Sequence, residues 1–138
     1  MKVLPGLPQC FVCGDQNEHG LQLRFAVAED GESVVCEYAP AEHFGGFPPY
    51  AHGAVISAMF DEGCGWMITY RTGFACMTVQ LNVTFKRPAT IGKKLHLVAK
   101  EVPSDSKRSF KSAGTLTDET GTVIATAEAI FVPLDASF

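Results

Sequence analysis

The stretch that decides the fold is "HGAVISAMFDEG", which runs from His52 to Gly63. It begins the one helix that the sequence pattern predicts, over residues 53–70, and it is apolar nearly all round. Two-thirds of the way along it carries adjacent carboxylates, Asp61 and Glu62. A buried, unpaired carboxylate is costly. The position of Asp61 on the helix surface therefore requires a physical reason.

Placing residues 100° apart divides the predicted helix into a narrow stripe and a broad bulky face. The stripe collects the small residues together with one acid: Ala54, Ser57, Ala58, Asp61 and Gly65. The bulky side chains fill most of the remaining circumference: Val55, Ile56, Met59, Phe60, Trp66 and Met67. Two interpretations of Asp61 stay open at this point. It reaches water or a neighbour at a helix edge, or it lines a cleft and serves as a base or nucleophile.

The start of this helix is suited to holding an oxyanion. The first backbone N–H groups of a helix have no intrahelical acceptors and lie at the positive end of the dipole. Gly53 has no Cβ and lets a ligand approach that backbone. Gly53 and Asp61 are eight residues apart, which is about 12 Å along one helix. Two antiparallel helices related by a two-fold axis would bring Gly53 of one chain near Asp61 of the other, and this predicts a dimer with shared sites.

The remaining sequence predicts strands. "LQLRFAVA" and "SVVCEYA" flank the turn "EDGE" and indicate a hairpin. Four more runs follow the helix: "CMTVQLNVTFKRP", "KLHLVAKEV", "RSFKSAGTLTD" and "TVIATAEAIFVPL". The predicted order is β-β-α-β-β-β-β, an α+β fold with a mostly antiparallel sheet and the helix against its concave face. The loop "PAEHFGGFPPYA" before the helix has the length and composition of a functional loop.

Composition limits the classes of function. The 138 residues, 46% hydrophobic and 19% charged, fit one globular domain. The net charge of −4 argues against nucleic-acid binding. Neither a signal peptide nor a membrane-spanning run is predicted. The number of cysteines, five, is odd, and Cys36, Cys64 and Cys76 lie in apolar stretches, which indicates reduced core residues. We therefore expect a cytoplasmic protein that does not bind membranes.

Charge is unevenly distributed along the chain. Residues 86–111 carry eight Lys and Arg against two acids, whereas residues 1–62 carry two against nine. The basic part would suit a phosphorylated ligand. Two solvated strand faces would produce the same pattern, and composition alone does not separate these interpretations.

The residues around the predicted helix resemble those of the hot-dog fold acyl-CoA thioesterases, specifically the phenylacetate-pathway (PaaI-like) group. "HGAVISAMFDEGCGW" is similar to the family's "HGG…D" segment, and the spacing of nine from His52 to Asp61 matches. "MTVQLNVTFKRPATIG", "DETGTVIATAEAIFVPL" and the amino-terminal "CFVCGDQNEHGLQLRF" resemble further pieces in the same order. The expected domain is residues 1–138, with an N-terminal extension at 1–20 and a thioesterase-like core at 43–134.

The resemblance implies a curved antiparallel sheet wrapped around the helix, and hydrolysis of an acyl-CoA to free acid and CoA without a cofactor. The site residues it implies fall into two roles. The catalytic residues would be Asp61, the Gly53 N–H, His52 and Thr78, with Thr78 orienting a water. Substrate would be bound by His43, Gly45, Ala54 and Glu62, with Lys86 and Arg87 near the CoA phosphates. The implied assembly is a homodimer or a dimer of dimers that shares its sites.

Two departures from the family pattern keep alternatives open. Ala54 replaces the second Gly of "HGG", and Gly45 and Gly46 stand where relatives place an Asn or Gln, unless His43 takes over that hydrogen bond. A non-catalytic acyl-CoA binder would fit such a site. A hot-dog dehydratase acting on β-hydroxyacyl thioesters is disfavoured, because Ala58 stands where those enzymes carry their helix carboxylate.

The pair Cys10 and Cys13, with His19 nearby, has the spacing of half a zinc site. A structural zinc site usually takes its four ligands as two pairs, and the sequence offers no second pair. A zinc site completed by a second subunit and a redox pair are further alternatives. We expect a packed amino-terminal turn and no metal.

Overall fold

The computed structural model describes residues 1–137 and packs one long helix against a seven-stranded sheet. The strands run in the spatial order β1-β2-β3-β5-β6-β7-β4, and every neighbouring pair is antiparallel. The elements in chain order are β1 Lys2–Val3, β2 Ala26–Val27, β3 Val34–Tyr38, a 3₁₀ turn at Glu42–Phe44, α1 Gly53–Thr72, β4 Phe74–Phe85, β5 Leu95–Val102, β6 Phe110–Asp118 and β7 Val123–Ser137.

Helix α1 confirms the predicted helix and continues two residues beyond it. It begins after His52, whose extended backbone and ring nitrogen cap the first turn. It ends at Gly73, whose φ of 78° is the left-handed conformation that glycine adopts without strain. Within residues 1–137, no helix combines the length and apolar character needed to cross a bilayer.

The bulky face of α1 packs into the curve of the sheet. Met59 and Phe60 are fully buried. The packing is tight enough that a Cβ on Gly114 of β6 would lie 2.8 Å from the Phe60 ring. By contrast, none of the five residues of the predicted small stripe is buried: Ala54, Ser57, Ala58, Asp61 and Gly65. The stripe with Asp61 is therefore less buried than the bulky face, although its Ala58 still packs against the core.

The strand predictions are confirmed after the helix and are only partly right before it. The run at residues 21–28 forms just two residues of strand, because the Leu21 and Leu23 N–H groups donate to Phe11 and Val12 carbonyls of the amino-terminal segment instead. That segment also contributes Leu4, Val12 and Cys13 to the main hydrophobic core. Strand β1 was not predicted, since two residues are too few to show a period.

Strand β4 is an edge of the sheet. Among the described strands it pairs only with β7, and it follows α1 after a single residue. Irregular register around Val79 leaves this residue outside the ladder, and Met77, Val79 and Phe85 are 55%, 61% and 53% exposed. Long apolar edge strands tend to pair with another chain.

Candidate active site

A cleft of about 200 Å³ opens between the small-residue stripe of α1, strand β4 and the amino-terminal segment. Asp61, Glu62 and Thr78 are the sequence-predicted site residues that line it. The rest of its wall is formed by Leu7, Gly65, Trp66, Thr69, Ala75, Cys76 and Phe131. The cleft thus joins a carboxylate pair to an otherwise largely apolar surface.

A hydrogen bond from strand β4 fixes the side chain of Asp61. The Thr78 hydroxyl donates a hydrogen bond to Asp61 Oδ1 over 2.6 Å, between residues that are both half-buried. A hydroxyl has one O–H and two lone pairs. Because the proton of Thr78 points at Asp61, the lone pairs of Thr78 are left to accept a hydrogen bond from a water or a substrate group.

Thr69 and Cys76 extend the same wall, and the sequence analysis missed both. The Thr69 hydroxyl and the Cys76 thiol lie 3.5 Å apart, and the thiol is also 3.6 Å from the Gly65 carbonyl. Burial raises the pKa of Cys76 from its ordinary value, and the charges of Asp61 and Glu62 raise it further. Thr69 follows Asp61 by eight residues on the same side of the helix, a spacing that could have identified it. Cys76 had no such signal.

Glu62 contacts the amino-terminal segment rather than β4. The Cys10 thiol donates to Glu62 Oε2 over 3.3 Å. Burial raises the pKa of the neighbouring Cys13 thiol to about 12, and its hydrogen bond with Glu62 adds to the increase. Glu62 therefore connects the cleft to the two amino-terminal cysteines.

The helix start forms a second group of predicted site residues. His52 Nδ1 accepts a hydrogen bond from the Ala54 N–H over 2.9 Å, so this N–H is already engaged within the chain. Gly53 is the first residue of α1, where an N–H has no intrahelical acceptor. A Cβ on Gly53 would lie 3.5 Å from the Phe85 ring, so an aromatic side chain borders this position.

The loop before the helix folds over its start. His43 lies in the 3₁₀ turn with its ring centroid 4.2 Å from that of Phe44. Gly45 bridges to Ala51, and a Cβ on Gly46 would lie 3.2 Å from the His52 Cα. Gly45 and Gly46 also line a separate hollow of about 500 Å³ with Glu42, Pro48, Pro49, Tyr50 and Ile91. His43 and Gly45 are therefore close to the helix start and line no part of the Asp61 cleft.

Lys86 and Arg87 directly follow strand β4, and both are exposed. Their backbone N–H groups donate to the Ile124 carbonyl, over 2.8 and 3.1 Å respectively. Their side chains extend the exposed end of the sheet with two positive charges and line no part of the Asp61 cleft.

Within one chain, the predicted site residues other than Lys86 and Arg87 thus fall into two separate groups. One group is the Asp61 cleft with Glu62 and Thr78, and the other is the helix start with His52, Gly53 and the preceding loop. The axial distance of about 12 Å between Gly53 and Asp61 of one helix prevents a single carbonyl from touching both groups.

The comparison with protein families decides the classification. A family model described as the thioesterase superfamily matches residues 49–125, more than half of the chain, and the match includes α1 with Asp61 and Thr78 of β4. The chain belongs to the thioesterase superfamily. The fold expected from the resemblance, one helix against an antiparallel sheet, is confirmed with it.

Individual superfamily members show similarity over most of the chain. Acyl-coenzyme A thioesterase THEM4 of Bos taurus is 25% identical over 127 residues, which is 92% of this chain and 52% of that protein. The chain therefore spans about half the length of this curated relative. A crystal structure of a thioesterase superfamily protein aligns with a TM-score of 0.80 and 27% identity, covering 91% of this chain and 63% of the other.

The phenylacetate-type group named from the sequence also has a similar solved structure. A thioesterase family member described as a phenylacetic acid degradation-related protein from Ralstonia eutropha aligns with a TM-score of 0.68 and 27% identity. The alignment covers 80% of this chain and 82% of the other. The resemblance to PaaI-like members of the superfamily is confirmed.

Proposed function

We propose that this superfamily member hydrolyses acyl-CoA thioesters, with Asp61 as the base or nucleophile and the Gly53 N–H of a second copy as the oxyanion donor. The observation that carries the proposal is the Asp61 carboxylate in an open cleft, held by Thr78 at 2.6 Å. A carboxylate that is oriented by a hydroxyl and lines an open cleft is equipped for general-base or nucleophilic catalysis.

In the general-base route, Asp61 takes a proton from a water that Thr78 helps to position. The resulting hydroxide adds to the thioester carbon, and the negative charge moves to the carbonyl oxygen. When the tetrahedral intermediate collapses, the C–S bond breaks and Asp61 returns the proton to the leaving CoA thiolate. The products are the free acid and CoA, and the enzyme regains its starting state.

In the nucleophilic route, an Asp61 oxygen attacks the thioester carbon directly. CoA leaves as the thiol after taking a proton from solvent, and a mixed anhydride forms between the acyl group and Asp61. Water then cleaves this anhydride to give the free acid and the original carboxylate, and the proton left over returns to solvent. In a single turnover in ¹⁸O water, this route can place ¹⁸O in Asp61, whereas the general-base route leaves Asp61 unlabelled.

The negative carbonyl oxygen needs a hydrogen-bond donor, and the Gly53 N–H of the same helix lies about 12 Å from Asp61 along the axis. A backbone N–H aimed at a developing oxyanion is typically worth a factor of about 10²–10³ in kcat. The Ala54 N–H already donates to the His52 ring. The Gly53 N–H, rather than that of Ala54, therefore acts as the oxyanion donor. His52 then serves to fix the first turn of α1, and the Phe85 ring borders the donor.

A two-fold dimer would supply Gly53 to the cleft of the other copy. Support comes from β4, an edge strand of 12 residues with exposed Met77 and Val79 that also carries Thr78. Pairing of two β4 edges would extend the sheet across the dimer and set the two helices side by side. The small stripe of α1, which is only partly covered within its own chain, would then face its counterpart.

The CoA moiety would lie toward the basic end of β4. Lys86 and Arg87 are exposed there and begin the stretch of residues 86–111 with its eight positive charges. Lys and Arg are the side chains that bind phosphate groups in proteins. This assignment predicts that CoA affinity weakens with rising salt concentration.

The proposal is tested by release of free CoA thiol from acetyl-, phenylacetyl- and medium-chain acyl-CoA. Wild type should release thiol, and Asp61→Asn should reduce kcat by a factor of about 10²–10⁴. Asp105→Asn, a matched change of an exposed loop acid, should leave the rate unchanged. Because the chain contains five free cysteines, each assay needs an enzyme-only blank.

Two results would contradict the proposal. Full turnover in Asp61→Asn would remove Asp61 from its assigned role. Saturable acyl-CoA binding without thiol release from any of the three substrate types would favour the non-catalytic binder, which the glycines at positions 45 and 46 keep open because they offer no side-chain amide.

A further inference from the structure

We infer a zinc site formed by Cys10, Cys13 and Glu62, which clamps the amino-terminal segment to helix α1. The two thiol sulfurs and a carboxylate oxygen of Glu62 all lie within 4.8 Å of one another. The cluster joins a pair from residues 10–13 to a helix residue 49 positions further along the chain. This inference is independent of the proposed hydrolysis.

The spacing of the donor atoms fits zinc. With Zn–S of about 2.3 Å and Zn–O of about 2.1 Å, neighbouring donors of a tetrahedral site are roughly 3.5 to 3.8 Å apart. The Cys10 Sγ and Glu62 Oε2 atoms are 3.3 Å apart. Shifts of a few tenths of an ångström to about 1 Å would bring the three donors onto one ion.

The backbone around Cys10 fixes the position of its sulfur. The Val12 and Cys13 N–H groups both donate to the Cys10 sulfur, each over 3.4 Å. The Gly14 N–H donates to the Cys10 carbonyl over 2.9 Å and closes the turn. A Cβ on Gly14 would lie 2.5 Å from the Cys10 carbonyl oxygen, so the tight "CFVCG" turn requires glycine at its end.

The charge and coordination chemistry are consistent with a borderline-soft divalent ion. On binding, Cys10 and Cys13 would release their protons to solvent, and two thiolates with one carboxylate around Zn²⁺ give a net charge of −1. Three protein donors leave a fourth tetrahedral position for water. Glu62 lines the open cleft, which gives the ion a path of entry.

The consequence for the fold is a fixed cleft wall. The Cys10 N–H donates to the Leu7 carbonyl over 2.9 Å, and Leu7 lines the cleft beside Asp61. A metal that ties Cys10 and Cys13 to Glu62 would hold Leu7 in place against α1. His19, considered with the cysteines in the sequence analysis, is exposed and is not part of the cluster.

The test is a zinc titration of the reduced, chelator-treated full chain in competition with a chromophoric chelator. One zinc per chain is expected, with a raised melting temperature. Cobalt should give the thiolate-to-metal charge-transfer band of tetrahedral sulfur coordination. Cys10→Ser, Cys13→Ser and Glu62→Gln should each weaken zinc binding at least as much as the roughly 10- to 100-fold typical of lost outer-shell partners.

Cys36→Ser is the matched control. Cys36 is buried on β3, outside the cluster, and zinc binding should survive its substitution. Absence of stoichiometric zinc binding in wild type, or affinity unchanged in all three cluster variants, would overturn the inference. Formation of a Cys10–Cys13 disulfide in a chain that binds no zinc would overturn it in favour of a redox pair. Circular dichroism of each variant distinguishes loss of zinc from loss of fold.

Discussion

The Thr78 hydroxyl donates a hydrogen bond of 2.6 Å to Asp61 Oδ1 and thereby joins edge strand β4 to the small-residue stripe of α1. The two residues are 17 positions apart in the chain, and helix and strand meet here because only Gly73 separates them. The contact fixes a carboxylate at the wall of the cleft without burying it.

Thr78→Val removes the hydroxyl and keeps the size and branching of the side chain. We expect kcat for acyl-CoA hydrolysis to fall by roughly 10- to 100-fold, because Asp61 and the attacking water both lose a partner. Thr78→Ser retains the O–H and should stay within a fewfold of wild type. Steady-state thiol release measures both variants, and equal rates for Val and Ser would rule out a role for the hydroxyl.

Much of the fold could be predicted because its signals are local. The 3.6-residue period of α1 placed Asp61 on a different face from Met59 and Phe60. In the structure Asp61 is half-buried, whereas Met59 and Phe60 are fully buried. Alternation and turn residues located the four strands after the helix. The structure of the amino-terminal region was harder to predict. Leu21 and Leu23 alternate with polar residues as in a strand, but their N–H groups donate to the carbonyls of Phe11 and Val12.

The candidate site draws on two kinds of sequence signal. The helix period singled out Asp61 and the resemblance to the PaaI-like group singled out Thr78, and the structure brings these two residues together. Leu7 and Phe131 could not be found, because they reach the cleft through long-range packing that no local pattern encodes. The His52 cap was equally hidden, since Ser, Thr, Asp and Asn are the usual capping residues and its effect on the Ala54 N–H depends on ring orientation.

Val79→Lys tests the β4 edge. Val79 is 61% exposed beside Thr78, and a lysine on an edge strand opposes pairing with another chain. We expect the proposed dimer to dissociate and the proposed thioesterase activity to fall with it. Sedimentation or light scattering gives the mass. Val98→Lys, on interior strand β5 and 38% exposed, should leave the dimer intact. A Val79→Lys protein that remains dimeric would exclude this edge as the dimer interface.

The buried thiols predict a loss of stability at alkaline pH. Burial raises the pKa values of Cys36 and Cys64 from 9.0 to about 12, and the charge of Asp61 adds to the shift at Cys64. Above pH 9 the unfolded chain releases protons that the folded chain retains, so the free energy of unfolding falls as pH rises towards 12. Each thiol contributes a slope of up to about 1.4 kcal/mol per pH unit.

Urea unfolding at several pH values from about 8 to about 11 measures how the free energy of unfolding depends on pH. The Cys36→Ala/Cys64→Ala double variant should show a flatter dependence on pH than wild type, whatever its absolute stability. If the free energy of unfolding falls equally with pH in the two proteins, groups other than these thiols cause the loss of stability at alkaline pH.

Gly53→Pro isolates the proposed oxyanion donor. Proline has no N–H, yet it is favoured at the first position of a helix. The preceding His52, with φ of −66° and ψ of 140°, already has the extended backbone that a residue before proline prefers. We therefore expect a folded protein in which kcat falls by about 10²–10³. Gly53→Ala, which keeps the N–H, should retain more of the activity.

The most direct test mixes two inactive proteins. Chains with Gly53→Pro and chains with Asp61→Asn are unfolded together in equal amounts, refolded and assayed for thiol release. In a hybrid dimer with shared sites, one site receives both defects and the other receives none. Random pairing should then restore roughly a quarter of wild-type activity. Activity no higher than that of the separate variants, in a mixture shown to contain hybrid dimers, would contradict a site built from Gly53 of one chain and Asp61 of the other.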